Sequence, residues 1–319
     1  MGAEGWAKMV VVDAQLVITE EVSDALAEGR GVVALESTLL AHGLPPGLNR
    51  EVAERLEAIV RQAGAVPATI AVLDGKARVG LGADQLDRVC AAGSGLLKLS
   101  RRDLGAAIAL GRDGATTVAG TSALAHRAGI GVFATGGLGG VHLTLPGEQA
   151  WDVSADLDVL AETPITVVCS GVKSVLDIAA TVEILETRSI PVLGFGTDFF
   201  PAFYLRESPL RAPWRVDTPD EVAAVVAAHR EMPGGTSAVL VANPVPVEHE
   251  MDRALHDRLL AEGMGIIRER GVRGRDVTPV LLEHFHTASE GVSLRANTEL
   301  VAANTAVAAA IAVAQASRR

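Results

Sequence analysis

The stretch PITVVCSGVKSVLDIAATVEILETRSIPVLGFG (164–196) decides the fold. PITVVCS (164–170) is an apolar run of strand length, and PVLGFG (191–196) is a second. Between them, residues 173–187 read as a helix. Buried runs alternating with amphipathic helices build layers in which helices cover both faces of a sheet.

The pattern extends outward in both directions. VVALE (32–36) reads as a buried strand, followed by a helix to Gln62 with Asn49 as its expected cap and Val52, Leu56 and Ile59 on one face. In ATIAVLDGKARVGL (68–81), Asp74-Gly75 separates two strand-like runs and predicts a β-hairpin. A helix over 83–92, a strand over 96–100, a helix over 115–128 and a strand over 131–135 come next. The glycine-rich GGLGGVH (136–142) follows, and Ser154 is placed to cap a helix over 155–162. Residues 197–217 read as irregular. A helix over 218–231, a strand at SAVLVAN (237–243) and a long alanine-rich helix from about Arg295 complete the chain. The expected architecture is a three-layer α/β/α fold with a mixed central sheet, because the hairpin rules out an all-parallel one. No repeat or linker divides the chain, so residues 1–319 are expected to form a single domain.

Composition narrows the partners. The net charge is −11 and only 3% of residues are aromatic. With no basic run and no aromatic interleaving, polymer nucleic acid is not expected as a partner. The N-terminus lacks a signal-peptide pattern, and the apolar stretch Ala306–Ala314 is too short for a span, so no membrane is expected and the expected location is cytoplasmic. Cys90 and Cys169 sit in apolar contexts and read as core thiols of a reducing compartment.

Lysine carries the chemical signal. Only four of the 28 basic residues are lysine: Lys8, Lys76, Lys98 and Lys173. Lys98 and Lys173 each follow an apolar strand, where α/β enzymes place their sites. A desolvated lysine there can attack a carbonyl carbon and an arginine cannot; a strand-end lysine can equally reach water or pair with a carboxylate. Glu36, closing the strand VVALE, is a candidate general acid/base or an ion-pair partner. The glycine-rich stretch either closes backbone amides on a phosphate or is a plain tight loop; it lacks the dinucleotide spacing. Asp152 and Asp156 are oxygen donors suited to Mg²⁺ or Mn²⁺, or else one acid at a helix N-terminus and one solvated. His284 and His286 diverge on a helix and read as structural.

Together these strings resemble the pseudouridine-5′-phosphate glycosidase family. The resemblance rests on ALESTLLAHGLP (34–45), GAVPATIAVLDGKARVGL (64–81), KLSRRDL (98–104), GATTVAGT (114–121) and VFATGGLGGVH (132–142). It continues through DVSADL (152–157), CSGVKSVLDI (169–178), GTDFFPAFYLRES (196–208), VANPVP (241–246) and SLRANTELVAANTAVAAAIA (293–312). It implies reversible cleavage of the C–C glycosidic bond of pseudouridine 5′-phosphate to uracil and ribose 5-phosphate. Lys173 corresponds to the covalent lysine and Glu36 to the proton donor. Lys98, Ser100, Val118, Ser154, Ala155 and Asp156 correspond to substrate contacts, with His142 and Asn297 as further contacts to the sugar phosphate. Asp152 corresponds to the ligand of one divalent metal per subunit, Mn²⁺, and the assembly implied is a homotrimer. The chain departs from the family pattern at Leu143-Thr144 and the longer loop through Trp151, and at Phe199 and Val247. Two rival readings share the same residues: another lysine-iminium lyase acting on a sugar phosphate, and a non-catalytic sugar-phosphate sensor.

Overall fold

β-Branched and small apolar residues dominate the runs that the chain buries, and they pair side by side. A computed structural model describes residues 9–11, 15–91, 93, 95–143, 152–272 and 277–318. The strands are β1 (Met9–Val11), β2 (Leu16–Thr19), β3 (Val32–Glu36), β4 (Val66–Leu73), β5 (Lys76–Val79), β6 (Leu97–Leu99) and β7 (Gly114–Thr116). They continue with β8 (Val132–Ala134), β9 (Val141–His142), β10 (Thr166–Cys169), β11 (Leu176–Asp177), β12 (Val192–Phe195), β13 (Trp214–Val216) and β14 (Val239–Ala242). The helices are α1 (Glu20–Ala27), α2 (Leu48–Gln62), α3 (Ala83–Cys90), α4 (Arg101–Ala109), α5 (Val118–Arg127) and α6 (Ala155–Glu162). After them come α7 (Ile178–Thr187), α8 (Pro219–Glu231), α9 (Arg253–Arg270), α10 (Val277–Ala288) and α11 (Val292–Ala316).

One sheet runs in the order β1-β2-β5-β4-β3-β8-β10-β14-β12-β13, with β7 joined to β4 and β6 to β7. From β4 to β13 every neighbouring pair is parallel. The β4–β5 hairpin is antiparallel, as Asp74-Gly75 predicts, and so are β4–β7 and β1–β2. β4, β10 and β14 are buried along their whole length, as strands covered by helices on both faces must be. α11 packs on β3, β8 and β10 with α2 and α8 beside it, while α5 packs on β3 and β4 with α4 and α6 beside it. The mixed three-layer α/β/α expectation holds.

Local details differ from the sequence reading. Gly47 precedes α2, and Asn49 lies inside its first turn, buried. The Asn49 amide nitrogen donates to the carbonyls of Leu40 and Cys90, tying α2 to its neighbours rather than capping it. Val60, not Ile59, completes the buried face of α2. The span 115–128 divides into β7 and α5, because Ala115 and Thr116 pair with β4 and β6 before Thr117 caps the helix. Trp214–Val216 adds an edge strand within the expected irregular segment, and β2, α1 and α4 went unread. α11 starts at Val292. By length and composition it is apolar enough to cross a membrane, yet half of its most apolar window is buried in the fold, where it serves as a core helix. The departure at 144–151 lies outside the described residues.

Candidate active site

The parallel register brings the carboxyl ends of β3, β8, β10 and β14 level: Leu35 and Val168 both pair with Ala134, and Cys169 with Ala242. Such an edge is where open α/β sheets hold ligands. A cavity of about 920 Å³ opens there, lined among others by Glu36, Lys98, Lys173, Asn297, His42 and Phe203. The structure therefore unites four of the residues singled out in the sequence.

Each is held by its element. Past β3, Ser37 is buried; its hydroxyl donates to the Ile70 carbonyl at 2.6 Å and accepts the Thr116 amide at 2.9 Å, locking the strand end to β4 and β7. The chain then makes one π-type turn, Leu39–Gly43, a geometry frequent at functional sites, which sets His42 on the cavity wall. Lys173 follows β10 through Gly171, whose φ of +78° and 2.2 Å clearance from the Pro201 carbonyl to a notional Cβ admit only glycine. The Lys173 amide donates to the Leu138 carbonyl at 3.2 Å, so the lysine loop and the glycine-rich loop brace each other.

Glu36 touches the cavity but is otherwise enclosed by protein, and Thr135 donates its hydroxyl to Glu36 Oε1. Burial raises the Glu36 carboxyl above its ordinary value; Lys173 and the Thr135 hydrogen bond pull against that, Asp156 adds to it, and Lys98 opposes it. A buried carboxyl that senses two lysines is suited to exchanging protons. Burial likewise lowers the His42 imidazole, with Lys98 reinforcing.

The glycine-rich loop is closed from within. The amides of Leu138, Gly139, Val141 and His142 donate to the Gly171 carbonyl, Asp156 Oδ2, Thr181 Oγ1 and the Asp152 carbonyl. Those four donors are spent on the protein and brace the loop, while Gly136 and Gly137 line the cavity. Phe203, Ser154 and Thr181 pack where Cβ atoms at Gly137, Gly139 and Gly140 would lie.

The remaining candidates form a second group beside the cavity. Ser100, Val118 and Ser154–Asp156 sit at the starts of α4, α5 and α6, successive neighbours whose N-terminal dipoles favour an anion. Ser154 caps α6 by accepting the Asp156 amide, as expected, and Ala155 is exposed beside it. Asp156 is buried, and its two oxygens accept the amides of Ala119 and Gly139, both at 2.9 Å. Asp152 is partly exposed, with Oδ2 3.6 Å from His142 Nδ1. Burial lowers the His142 imidazole below its ordinary value; Asp152 opposes this while Lys98 and Lys173 add to it. Among the described residues no three His, Cys, Asp or Glu side chains converge on a metal position. One open carboxylate fits a hard, largely hydrated divalent ion and not a closed cage.

His284 and His286 diverge as expected: His284 Nε2 lies 3.5 Å from Glu262, and His286 reaches the cavity wall. Sequence reasoning did not single out His42, Thr135, Phe203 or Asn304. All four lie within the family-like strings, but no local pattern sets them apart from their neighbours.

A family profile described as Indigoidine synthase A like protein matches residues 21–314. A pseudouridine-5′-phosphate glycosidase of Streptomyces griseus is 54% identical over 303 residues, 95% of this chain and 93% of that protein. One of Salinispora tropica is 52% identical over 299 residues, covering 94% and 91%. Among solved structures, prealnumycin C-glycosynthase AlnA in complex with ribulose 5-phosphate superposes with a TM-score of 0.88 at 39% identity, covering 96% of this chain and 98% of that one.

Proposed function

Because the chain belongs to the indigoidine synthase A like protein family, we propose that it is an enzyme that reversibly cleaves the C–C glycosidic bond of pseudouridine 5′-phosphate to uracil and ribose 5-phosphate. The observation that carries this reading is the meeting of Glu36 and Lys173 on one cavity, with the carboxyl raised by burial and drawn by the lysine. Relatives named for this reaction and a structural neighbour holding a sugar phosphate support it.

A carbon leaving group needs an electron sink at C1′ and a proton at C5. The ribose ring opens as electron density from uracil N1 expels O4′ from C1′ and O4′ takes a proton from Glu36. The Lys173 amine then bonds to C1′, the electron pair returns to the uracil ring, and the resulting ammonium hands a proton back to Glu36. Glu36 gives a proton to C5. The C1′–C5 electron pair then returns to the uracil ring while the nitrogen lone pair forms an iminium. Water hydrolyses the iminium, releasing ribose 5-phosphate and restoring the amine. Glu36 is reprotonated first by the Lys173 ammonium and, after giving a proton to C5, by the water that hydrolyses the iminium, an acid–base role worth on the order of 10²–10⁴-fold. Lys98, His142, Asn297 and the starts of α4, α5 and α6, with Ser100, Val118, Ser154, Ala155 and Asp156, bind and orient the sugar phosphate.

Asp152 is the residue to hold Mn²⁺. When bound, the ion supplies a hydrated Lewis acid that polarises nearby oxygen groups. The reading includes a homotrimer: Leu97 and Leu110, 48% and 71% exposed on the cavity rim, favour burial against another copy, and sedimentation equilibrium measures the assembly.

The direct test is incubation of the protein with pseudouridine 5′-phosphate and Mn²⁺, following uracil by chromatography. Uracil and ribose 5-phosphate in equal amounts are expected. No uracil under these conditions overturns the reading. Lyase activity on other sugar phosphates without it favours a related iminium enzyme.

A further inference from the structure

A buried side chain outside the cavity lining holds together the residues that surround Glu36 and Lys173. Asn304 lies on α11, fully buried, behind the strand ends. Its amide nitrogen donates to the Thr135 carbonyl at 2.9 Å, the Ser170 hydroxyl at 3.1 Å and, more weakly, the Gly136 carbonyl at 3.3 Å. Its oxygen accepts from the Asn243 amide nitrogen at 2.9 Å and from the Ser170 hydroxyl at 3.3 Å. One side chain thus ties the residues that follow β8, β10 and β14 to one helix.

Those three tie points are not equivalent. Thr135, held by its carbonyl, is the residue whose hydroxyl donates to Glu36. Ser170 opens the Ser170–Lys173 loop, and its own amide donates to the Gly136 carbonyl. Asn243 donates its backbone amide to the Cys169 carbonyl, closing the frame. An asparagine meets this need because it offers two donors and an acceptor in one rigid plane; leucine would leave these buried polar groups unpaired and aspartate would set an acceptor against two carbonyls.

We propose that Asn304 is a positioning residue for the reaction, fixing the Thr135 hydroxyl on Glu36 and, through Ser170, the loop that carries Lys173. This rests on the role proposed above for Glu36 and Lys173. The charged groups that act on Glu36 are Lys173, Asp156 and Lys98, and none of them is altered by the test.

The experiment compares wild type, Asn304→Ala, Asn304→Ser, Thr135→Val and the Asn304→Ala/Thr135→Val pair. It records kcat and KM against pH, thermal melting, and the Glu36 carboxyl titration by ¹³C NMR, assigned by its loss in Glu36→Gln. In Asn304→Ala, kcat is expected to fall on the order of 10²-fold with KM little changed, as for a reacting group held out of line. The Glu36 titration is expected to move to higher pH, in the direction that Thr135→Val moves it. The pair is expected to move it no further than Thr135→Val alone, because both act through one hydrogen bond. Asn304→Ser, which keeps a hydroxyl at the clamp, is expected to fall between, and it carries the test if Asn304→Ala does not fold. A folded Asn304 variant that melts lower but keeps the wild-type Glu36 titration and kcat overturns the proposal. Because NMR reads the titration without turnover, a wild type that releases no uracil refutes the reaction assigned above while the clamp is still decided.

Discussion

Asp152 and Asp156, four residues apart, face different tasks. Asp156 is buried and accepts amide protons from Ala119 and Gly139, while Asp152 is partly exposed and faces His142. The first joins the start of α5 to the glycine-rich loop, and the second leaves an oxygen face open.

Asp156→Ala therefore strands two amides in a buried setting. The expected cost is about 2–4 kcal/mol of folding stability, within the range for losing a charged hydrogen-bond acceptor. Urea unfolding monitored by circular dichroism measures it. An unchanged midpoint would mean that the loop and α5 find other partners.

Asp152→Asn is expected to leave melting nearly unchanged, since an exposed carboxylate contributes little to the core, while Mn²⁺ affinity drops. Electron paramagnetic resonance titration of Mn²⁺ reads the affinity without turnover. Chelation is expected to stop uracil release, with Mn²⁺ restoring it. Full activity in a rigorously metal-free preparation removes the metal assignment.

Lys173→Arg keeps charge and approximate size but offers no free lone pair at neutral pH. If Lys173 served only in ion pairing, the change would cost little, on the order of 1 kcal/mol; loss of the nucleophile takes turnover down by several orders of magnitude in a folded protein. Borohydride with ribose 5-phosphate is expected to leave a reduced sugar on the peptide that contains Lys173. An adduct on Lys98 instead exchanges the two lysine roles.

Glu36 gives a pH signature. Its folded value stands above the ordinary 4.5, so between the two values the folded state holds the extra proton. Its contribution to stability is complete below the ordinary value and is lost as pH rises through the folded one. Glu36→Gln, always neutral, is thus expected to melt above wild type at alkaline pH, with the gap closing below pH 4.5, and to lack turnover throughout. Calorimetry across pH reads the gap, and a constant difference would place the stabilisation elsewhere.

Phosphate selectivity follows from Lys98, His142 and the helix starts. Unphosphorylated pseudouridine leaves those donors unmatched and forfeits remote binding energy. Its kcat/KM is expected to be lower by on the order of 10²-fold or more. Equal values for the two substrates would move phosphate binding out of this site.

Wherever burial is signalled by neighbours in the chain, the sequence was sufficient. PITVVCS and SAVLVAN could be read as buried strands, Asp74-Gly75 as a hairpin turn and Ser154 as a cap, because each depends on side chains within a few residues. The scarcity of lysine, and the acid at the end of VVALE, likewise singled out Lys98, Lys173 and Glu36, which the structure brings to one cavity. Asn49 misled because a capping residue type sits inside the first turn of the helix, where the carbonyls of Leu40 and Cys90 take its amide.

Tertiary structure alone decided the rest. The sequence left the glycine-rich loop with two readings, a phosphate cradle or a plain tight loop; four of its amides are taken by Asp156, Thr181, Gly171 and Asp152, partners drawn from beyond the loop. Asn304 stands in an alanine-rich helix with no local mark, and its function arises because the sheet order sets β8, β10 and β14 side by side beneath it. Residue types and short-range periodicity determine which segments are buried and which groups can do chemistry. Which of those groups meet is settled by strand order and register, through contacts between residues tens to more than a hundred positions apart that no local pattern encodes.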